Sequence, residues 1–99
     1  MAQILSKQLS AFIKGIGSES RIRILLLFMD GRERMVNEIS QGAGLGQSTT
    51  SEHLALMKSS GLLISRKEGK EVYYRPDRLQ ISKMLKTLSD FLTKCCDTG

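Results

Sequence analysis

The sequence has few cysteines, and it lacks a long apolar run. Both cysteines among the 99 residues stand near the C-terminal end, which excludes a framework of disulfide bonds and fits a reducing compartment. The longest apolar run, residues 24–29, is far shorter than the roughly 20 residues of a membrane-spanning helix. No segment resembles a signal peptide. We therefore expect a cytoplasmic protein with no membrane partner.

The residue patterns of an active site are also scarce. The sequence contains no glycine-rich phosphate loop, no nucleophile with a plausible base, and no pair of carboxylates on one helix face. The single histidine, His53, cannot build a metal site by itself. These absences argue against an enzyme.

The charge of the chain points to a polyanionic partner. Lysine and arginine number 15 against 10 acidic residues, which gives a formal net charge of +5. Such a balance attracts nucleic acid and anionic membranes alike. A chain of 99 residues is expected to form one domain, residues 1–99, with a small core, so burying more apolar surface in a dimer would stabilise it.

The pattern of residues 46–62 predicts a helix with two different faces. Thr50, Leu54 and Met57 recur at i, i+4 and i+7, which is typical of a packing face. The other face carries short polar side chains that can hydrogen-bond to base edges and phosphate oxygens. A short helix precedes it and stops at Gly44, so residues 35–60 together predict a helix-turn-helix.

The residues after this helix change from a helical to a strand pattern. Residues 62–67 and 71–75 predict two strands, and the glycine within residues 68–70 suits a tight hairpin turn. Pro76 cannot sit in a central strand and is expected to close the hairpin. We therefore assign residues 62–76 to a β-hairpin that follows the helix-turn-helix, and we call this hairpin the wing.

Helices are also predicted on both sides of this unit. Ser18 is a candidate N-cap for a helix that is apolar nearly all round over residues 22–29, and we expect that helix at the centre of the core. Residues 1–17 and 77–96 have amphipathic patterns and are expected to pair with their copies in a second subunit. The expected dimer contacts are Leu5, Leu9, Phe12, Leu85, Leu88 and Leu92.

The order and spacing of four motifs resemble the ArsR/SmtB family of bacterial winged-helix repressors. They are SRIRIL at 20–25, QSTTSEHL at 47–54, SGLL at 60–63 and RKEGKEVYY at 66–74. The resemblance implies a mainly α homodimer with the order α-α-α-α-β-β-α, which represses an operator until an inducer binds. The second helix of the helix-turn-helix would be the recognition helix. The two recognition helices of the dimer would lie about 34–36 Å apart, one turn of double-stranded DNA. The DNA-binding residues expected on this basis are Gln47, Ser48, Thr49, Ser51, His53, Arg66, Lys67 and Lys70.

The chain departs from the family pattern at three positions of the predicted recognition helix, residues 46–62. Gly46 stands where the family usually has a capping serine, and Thr50 replaces an apolar residue. Glu52 brings a negative charge near DNA and either accepts from a cytosine amino group or points away. Simpler interpretations also stay open, because the charged hairpin can be only a solvated turn and His53 only a packing residue.

The residues expected for a zinc site are missing. Metal-sensing relatives carry a Cys-x-Cys pair in the third helix, where this chain has Met35, Val36 and Asn37. The last helix carries Ser82, Lys83 and Lys86 on its polar face in place of histidine and carboxylate ligands, so a tetrahedral zinc site is rejected.

Cys95 and Cys96 are the remaining candidate ligands. They continue the apolar stripe of the last helix, and free cysteine behaves as a small hydrophobe. Adjacent soft sulfurs also suit As(III) or Sb(III) as an inducer, with a third thiol from another subunit or from beyond Gly99. The expected function is a dimeric repressor of an operator, with thiol-based sensing. The alternatives are a family repressor without metal or thiol sensing and a winged-helix adaptor that binds only proteins.

Overall fold

A computed structural model describes residues 6–94 of the chain. Leu5, Cys95 and Cys96, three of the residues singled out in the sequence, lie outside this range. The described elements are α1 (Lys7–Ile16), α2 (Glu19–Leu26), α3 (Val36–Ala43), α4 (Gln47–Ser59), β1 (Leu63–Glu68), β2 (Glu71–Pro76) and α5 (Arg78–Lys94). Their order confirms the predicted α-α-α-α-β-β-α layout. Within residues 6–94, no helix combines the length and the apolar character that crossing a membrane requires.

The helix ends follow local capping chemistry. The Ser6 and Ser18 hydroxyl oxygens accept hydrogen bonds from the backbone N–H groups of Leu9 and Arg21, at 3.0 and 3.3 Å. These bonds satisfy donors that the first turn of a helix leaves unpaired. Helix α3 stops at Gly44, whose φ of 68° lies in the left-handed region that glycine adopts without strain. The predicted N-cap at Ser18 and the stop at Gly44 are both confirmed.

One apolar core lies between the helices and the base of the hairpin. Its buried side chains are Leu9, Phe12, Ile24, Phe28, Ile39, Ala43, Leu54, Met57, Leu62, Leu63 and Met84. Helix α2 contributes only one side to this core, because Ile24 is buried while Ile22 and Leu26 are 40% and 56% exposed, and Met29 after the helix is 79% exposed. The expectation that this helix lies at the centre is therefore corrected.

The hairpin is antiparallel; β1 begins and ends one residue later than predicted, and β2 begins at Glu71 as predicted and is one residue longer. Leu63 pairs with Pro76 at its base and Glu68 pairs with Glu71 next to the turn. Gly69 has a φ of 63° at the first turn position, as a type II′ turn requires. Pro76 is the last residue of β2, which confirms that it closes the hairpin.

A third chain segment extends the sheet beside β2. The backbone N–H and carbonyl groups of Arg34 exchange hydrogen bonds with Tyr74, at 3.0 and 2.8 Å. This bridge joins the segment before α3 to the hairpin. The sequence did not predict it, because a single residue pair has no periodicity.

The two terminal helices differ in how much of their apolar face the chain itself covers. Leu9 and Phe12 of α1 are 3% and 0% exposed inside the core. The expectation that these two residues contact a second subunit is therefore corrected, since a buried side chain has no surface to offer. In contrast, Met84 is the only buried residue among the 17 of α5.

Candidate nucleic-acid interface

Helix α4 presents the two faces that its sequence predicts. Thr50, Leu54 and Met57 are fully buried, so the packing face is confirmed. The Oγ1 atom of Thr50 has no hydrogen-bond partner within residues 6–94. Burying this hydroxyl group without a partner lowers the stability of the fold. The opposite face exposes the side chains of Gln47, Ser48, Thr49, Ser51 and Glu52.

The first turn of α4 leaves backbone donors available. Gly46 is the N-cap and offers no side-chain hydrogen bond. The carbonyl of Gly46 accepts from Thr50 at 2.9 Å, and the N–H groups of the three residues between them have no partner within the helix. Exposed donors at the positive end of a helix dipole are suited to bind a phosphate group.

A hydrogen bond joins the two helices of the helix-turn-helix. Nε2 of Gln47 donates to Oδ1 of Asn37 in α3, at 3.0 Å. The bond restricts the Gln47 side chain while its amide oxygen and second N–H stay available. Asn37 was not predicted to contribute here, because the sequence does not show which residues of α3 face the start of α4.

His53 lies at the edge of this face and is held by Arg21. The Arg21 guanidinium donates from Nε to the Gly15 carbonyl at 2.7 Å and from Nη2 to the Lys14 carbonyl at 3.0 Å. Its Nη1 lies 3.2 Å from Nδ1 of His53. Since arginine can only donate, Nδ1 accepts and the ring proton lies on Nε2. Arg21 was missed as a site residue, and we call its three contacts the Arg21 clasp.

The expected cationic residues of the wing are not equivalent. Arg66 donates from Nε to Glu33 at 2.8 Å and from Nη1 to Glu68 at 2.6 Å. Its guanidinium carbon also lies 4.7 Å from the centre of the Tyr73 ring. Lys67 and Lys70 are exposed, and neither forms an ion pair within the described part of the chain.

Glu33 is the acidic residue that restrains this part of the hairpin. Besides Arg66 it lies 3.5 Å from Nε of Arg75. The hydrogen bond from Arg66 lowers the pKa of the Glu33 carboxyl group, and the positive charge of Arg75 adds to the effect. Because the pKa of Glu33 is lowered in the folded chain, the contact contributes fully to stability above the usual glutamate pKa and is lost as the pH falls through the lowered pKa of the folded chain.

The described residues do not group metal ligands. Residues 6–94 contain no cluster of three or more histidine, cysteine, aspartate or glutamate side chains that could hold a metal ion. The chemistry of this surface is therefore that of hydrogen-bond donors, acceptors and cations.

The exposed helix and the hairpin beside it define a winged helix-turn-helix protein. Solved structures support this fold. A homodimeric winged helix-turn-helix DNA-binding domain, Mb0332 from Mycobacterium bovis, aligns with a TM-score of 0.69 at 25% identity, covering 100% of this chain and 96% of that one. The structure of HlyU from Vibrio cholerae aligns with a TM-score of 0.68 at 30% identity, covering 88% of this chain and 97% of that one.

Sequence comparisons identify the family. Residues 18–65 match the bacterial regulatory protein family arsR. The transcriptional activator HlyU of Vibrio cholerae is 34% identical over 76 residues, which cover 77% of this chain and 69% of the relative. The arsenical resistance operon repressor of Escherichia coli is 40% identical over 62 residues, which cover 63% of this chain and 53% of the relative. The chain belongs to the ArsR family of bacterial regulatory proteins.

The role of Glu33 can be tested by removing its charge. In Glu33→Gln the Arg66 guanidinium loses its strongest partner and becomes available to a DNA phosphate. The plot of log binding constant against log salt concentration, measured by fluorescence anisotropy with duplex DNA, should become steeper by about one unit. Glu19→Gln changes the net charge equally, but Glu19 is paired with Arg23 on α2. An equal change in both variants would show that Glu33 has no specific effect.

Proposed function

We propose that this chain is a sequence-specific DNA-binding transcriptional regulator that acts as a homodimer and represses its operator until an inducer binds. The observation that carries the proposal is the orientation of α4. Its apolar face is fully buried, and its first two turns present amide and hydroxyl side chains to solvent. An exposed helix with such side chains fits the major groove, where each base pair presents a distinct pattern of donors and acceptors.

Individual side chains of α4 have distinct tasks in this proposal. The free edge of the Gln47 amide pairs with an adenine, and the hydroxyl groups of Ser48, Thr49 and Ser51 contact bases or phosphates. His53 contributes its Nε2 proton from a ring that the Arg21 clasp holds in place. Lys67 and Lys70 bind DNA phosphates from the wing. Arg66 can bind a phosphate only after it is released from Glu33 and Glu68.

Base reading and phosphate binding make different predictions for the two sets of residues. Lys67→Gln and Lys70→Gln should each lower the salt slope of binding by about one unit without changing sequence preference. Gln47→Ala should weaken binding to a promoter fragment by about 1–3 kcal/mol and leave binding to unrelated DNA unchanged. Fluorescence anisotropy at several salt concentrations measures both effects.

Lys86→Gln is the matched control for the lysine variants, because this exposed α5 residue is paired with Asp90. Its salt slope should equal that of the unmodified protein. A protein adaptor would instead show only weak binding that high salt abolishes for every sequence, and that result would contradict the proposed function.

The second subunit is inferred from the apolar face of α5. Leu85 and Leu92 are 48% and 54% exposed, and Leu88 between them is only partly buried. These residues recur at i, i+3 and i+7, so they form one stripe along the helix. The Mycobacterium bovis relative of this fold is homodimeric. A two-fold axis beside α5 would place two copies of α4 on one side of a duplex.

The stripe can be tested with a charge placed on it and off it. Leu85→Asp should shift the protein toward a monomer, because the carboxylate would be buried without a partner in the dimer. Leu79→Asp is the matched control, since Leu79 is 86% exposed and lies on another side of the helix. Sedimentation velocity should show a dimer for the control. A monomeric unmodified protein, or a dimeric Leu85→Asp variant, would contradict this interface.

The inducer is proposed to act on Cys95 and Cys96. Two adjacent thiols suit a thiophilic species such as arsenite or antimonite, with a third thiol from a second subunit or from beyond Gly99. The Escherichia coli relative is named as a repressor of arsenical resistance. A ligand could favour, by about 1–3 kcal/mol, a spacing of the two recognition helices that does not match the operator. Such a ligand would lower operator occupancy about 5- to 150-fold.

Replacing both thiols tests the inducer. Arsenite should release the unmodified protein from its operator, and the double variant Cys95→Ser, Cys96→Ser should stay bound at the same concentration, because oxygen is a poor ligand for a soft metalloid. An electrophoretic mobility shift titration measures the release. Equal release of both proteins would remove the thiols from the mechanism, and no release of either would leave arsenite without a role.

A further inference from the structure

A second surface of the molecule has a concentration of positive charge that the proposed DNA contacts do not use. A cavity of about 240 Å³ lies between the end of α2, the loop after it, the end of β2 and the start of α5. Its lining residues are Phe28, Gly31, Arg32, Arg75, Pro76 and Arg78. Three of these six are arginines and none is acidic, so the cavity is suited to an anion.

Asp30 and Glu33 near the cavity pair mainly with Arg34 and Arg66, which do not line it, and Asp77 accepts from the backbone N–H of Gln80. Asp30 accepts from Nη1 and Nη2 of Arg34 at 2.9 and 2.7 Å, and from the backbone N–H of Arg32 at 3.1 Å. Glu33 bonds primarily to Arg66 and lies 3.5 Å from Arg75. These pairs leave an excess of positive charge at the cavity.

Within the described part of the chain, two of the lining arginines form no close ion pair, although the charge of Arg32 helps to lower the pKa of the Asp30 carboxyl group. Among residues 6–94, neither the Arg32 nor the Arg78 side chain forms an ion pair or a hydrogen bond. Their guanidinium groups come from the loop before α3 and from the first residue of α5. The fold therefore brings these two guanidinium groups together from segments that are far apart in the sequence, around a wall formed by the buried Phe28.

The size of the cavity and the chemistry of its walls limit the ligand. Pockets for drug-sized ligands measure roughly 300–1,000 Å³, so this cavity suits a smaller molecule. Guanidinium groups bind phosphate oxygens in pairs, with parallel N–H donors that match the oxygen spacing. We propose that the cavity binds a phosphate group, carried by inorganic phosphate or by a small phosphate ester.

The cavity lies away from the tip of the wing. Arg75 pairs with Ile64 near the base of the hairpin, and the turn at Gly69 is at its other end. The four steps along the chain from Glu71 to Arg75 span about 13 Å of extended strand. A phosphate bound here would contact the loop before α3 and the start of α5 at once, so the site does not depend on the proposed contacts with DNA.

Nuclear magnetic resonance of the full chain tests the site directly. The uniformly ¹⁵N-labelled protein is titrated with potassium phosphate and with glycerol phosphate against potassium chloride of equal ionic strength. The amide resonance of Gly31 should shift to a plateau, whereas that of Gly69 at the wing turn should move no more than it does in chloride. Whichever compound gives the lower dissociation constant identifies the preferred carrier of the phosphate group.

Substitutions assign the shift to the arginines. Arg32→Gln and Arg78→Gln should each raise the dissociation constant about tenfold, and Arg23→Gln, an exposed arginine of α2 paired with Glu19, should leave it unchanged. Equal, non-saturating shifts of Gly31 and Gly69 would overturn the proposal. So would equal affinity in all three variants, or a Gly31 shift that appears only when duplex DNA is added.

Discussion

The burial of one face of α4 is the constraint on which the rest of the structure depends. Because Leu54 and Met57 are fully covered by the core, the helix cannot rotate without exposing them to water. The Arg21 clasp adds a polar restraint, since it joins the last turn of α1 to His53. The side chains at the start of α4 therefore face solvent from a rigid support, which is what precise contact with base edges requires.

Charge pairing within the chain decides which cations are available to a partner. The basic residues of the hairpin look alike in the sequence, yet Arg66 is occupied by two carboxylates while Lys67 and Lys70 are exposed. At the base of the same hairpin, the side chains of Arg32 and Arg78 form no ion pair or hydrogen bond within the described residues. The positive charge of the chain is thus divided between the wing and a separate cavity, and the two surfaces suit different anions.

Local patterns in the sequence predicted the elements well, because capping and periodicity depend on neighbouring residues. Ser18, Gly44 and the buried face of α4 are examples. The patterns did not show what covers each apolar face, so Phe12 was assigned to a dimer contact although the chain buries it itself. Long-range ion pairs such as Glu33 with Arg66 were also missed, since residues 33 positions apart carry no sign of their contact.

In the proposed mode of DNA binding, two copies of α4 face one side of a duplex at a fixed separation. Selection of binding sequences from a random pool of duplexes, followed by insertion of base pairs between the selected half-sites, tests it most directly. We expect a near-palindromic site with half-site centres about 10 base pairs apart. Insertion of five base pairs should then abolish tight binding, because it turns one half-site to the opposite side of the duplex. A single asymmetric site, or equally tight binding after the insertion, would contradict this arrangement of the two α4 helices.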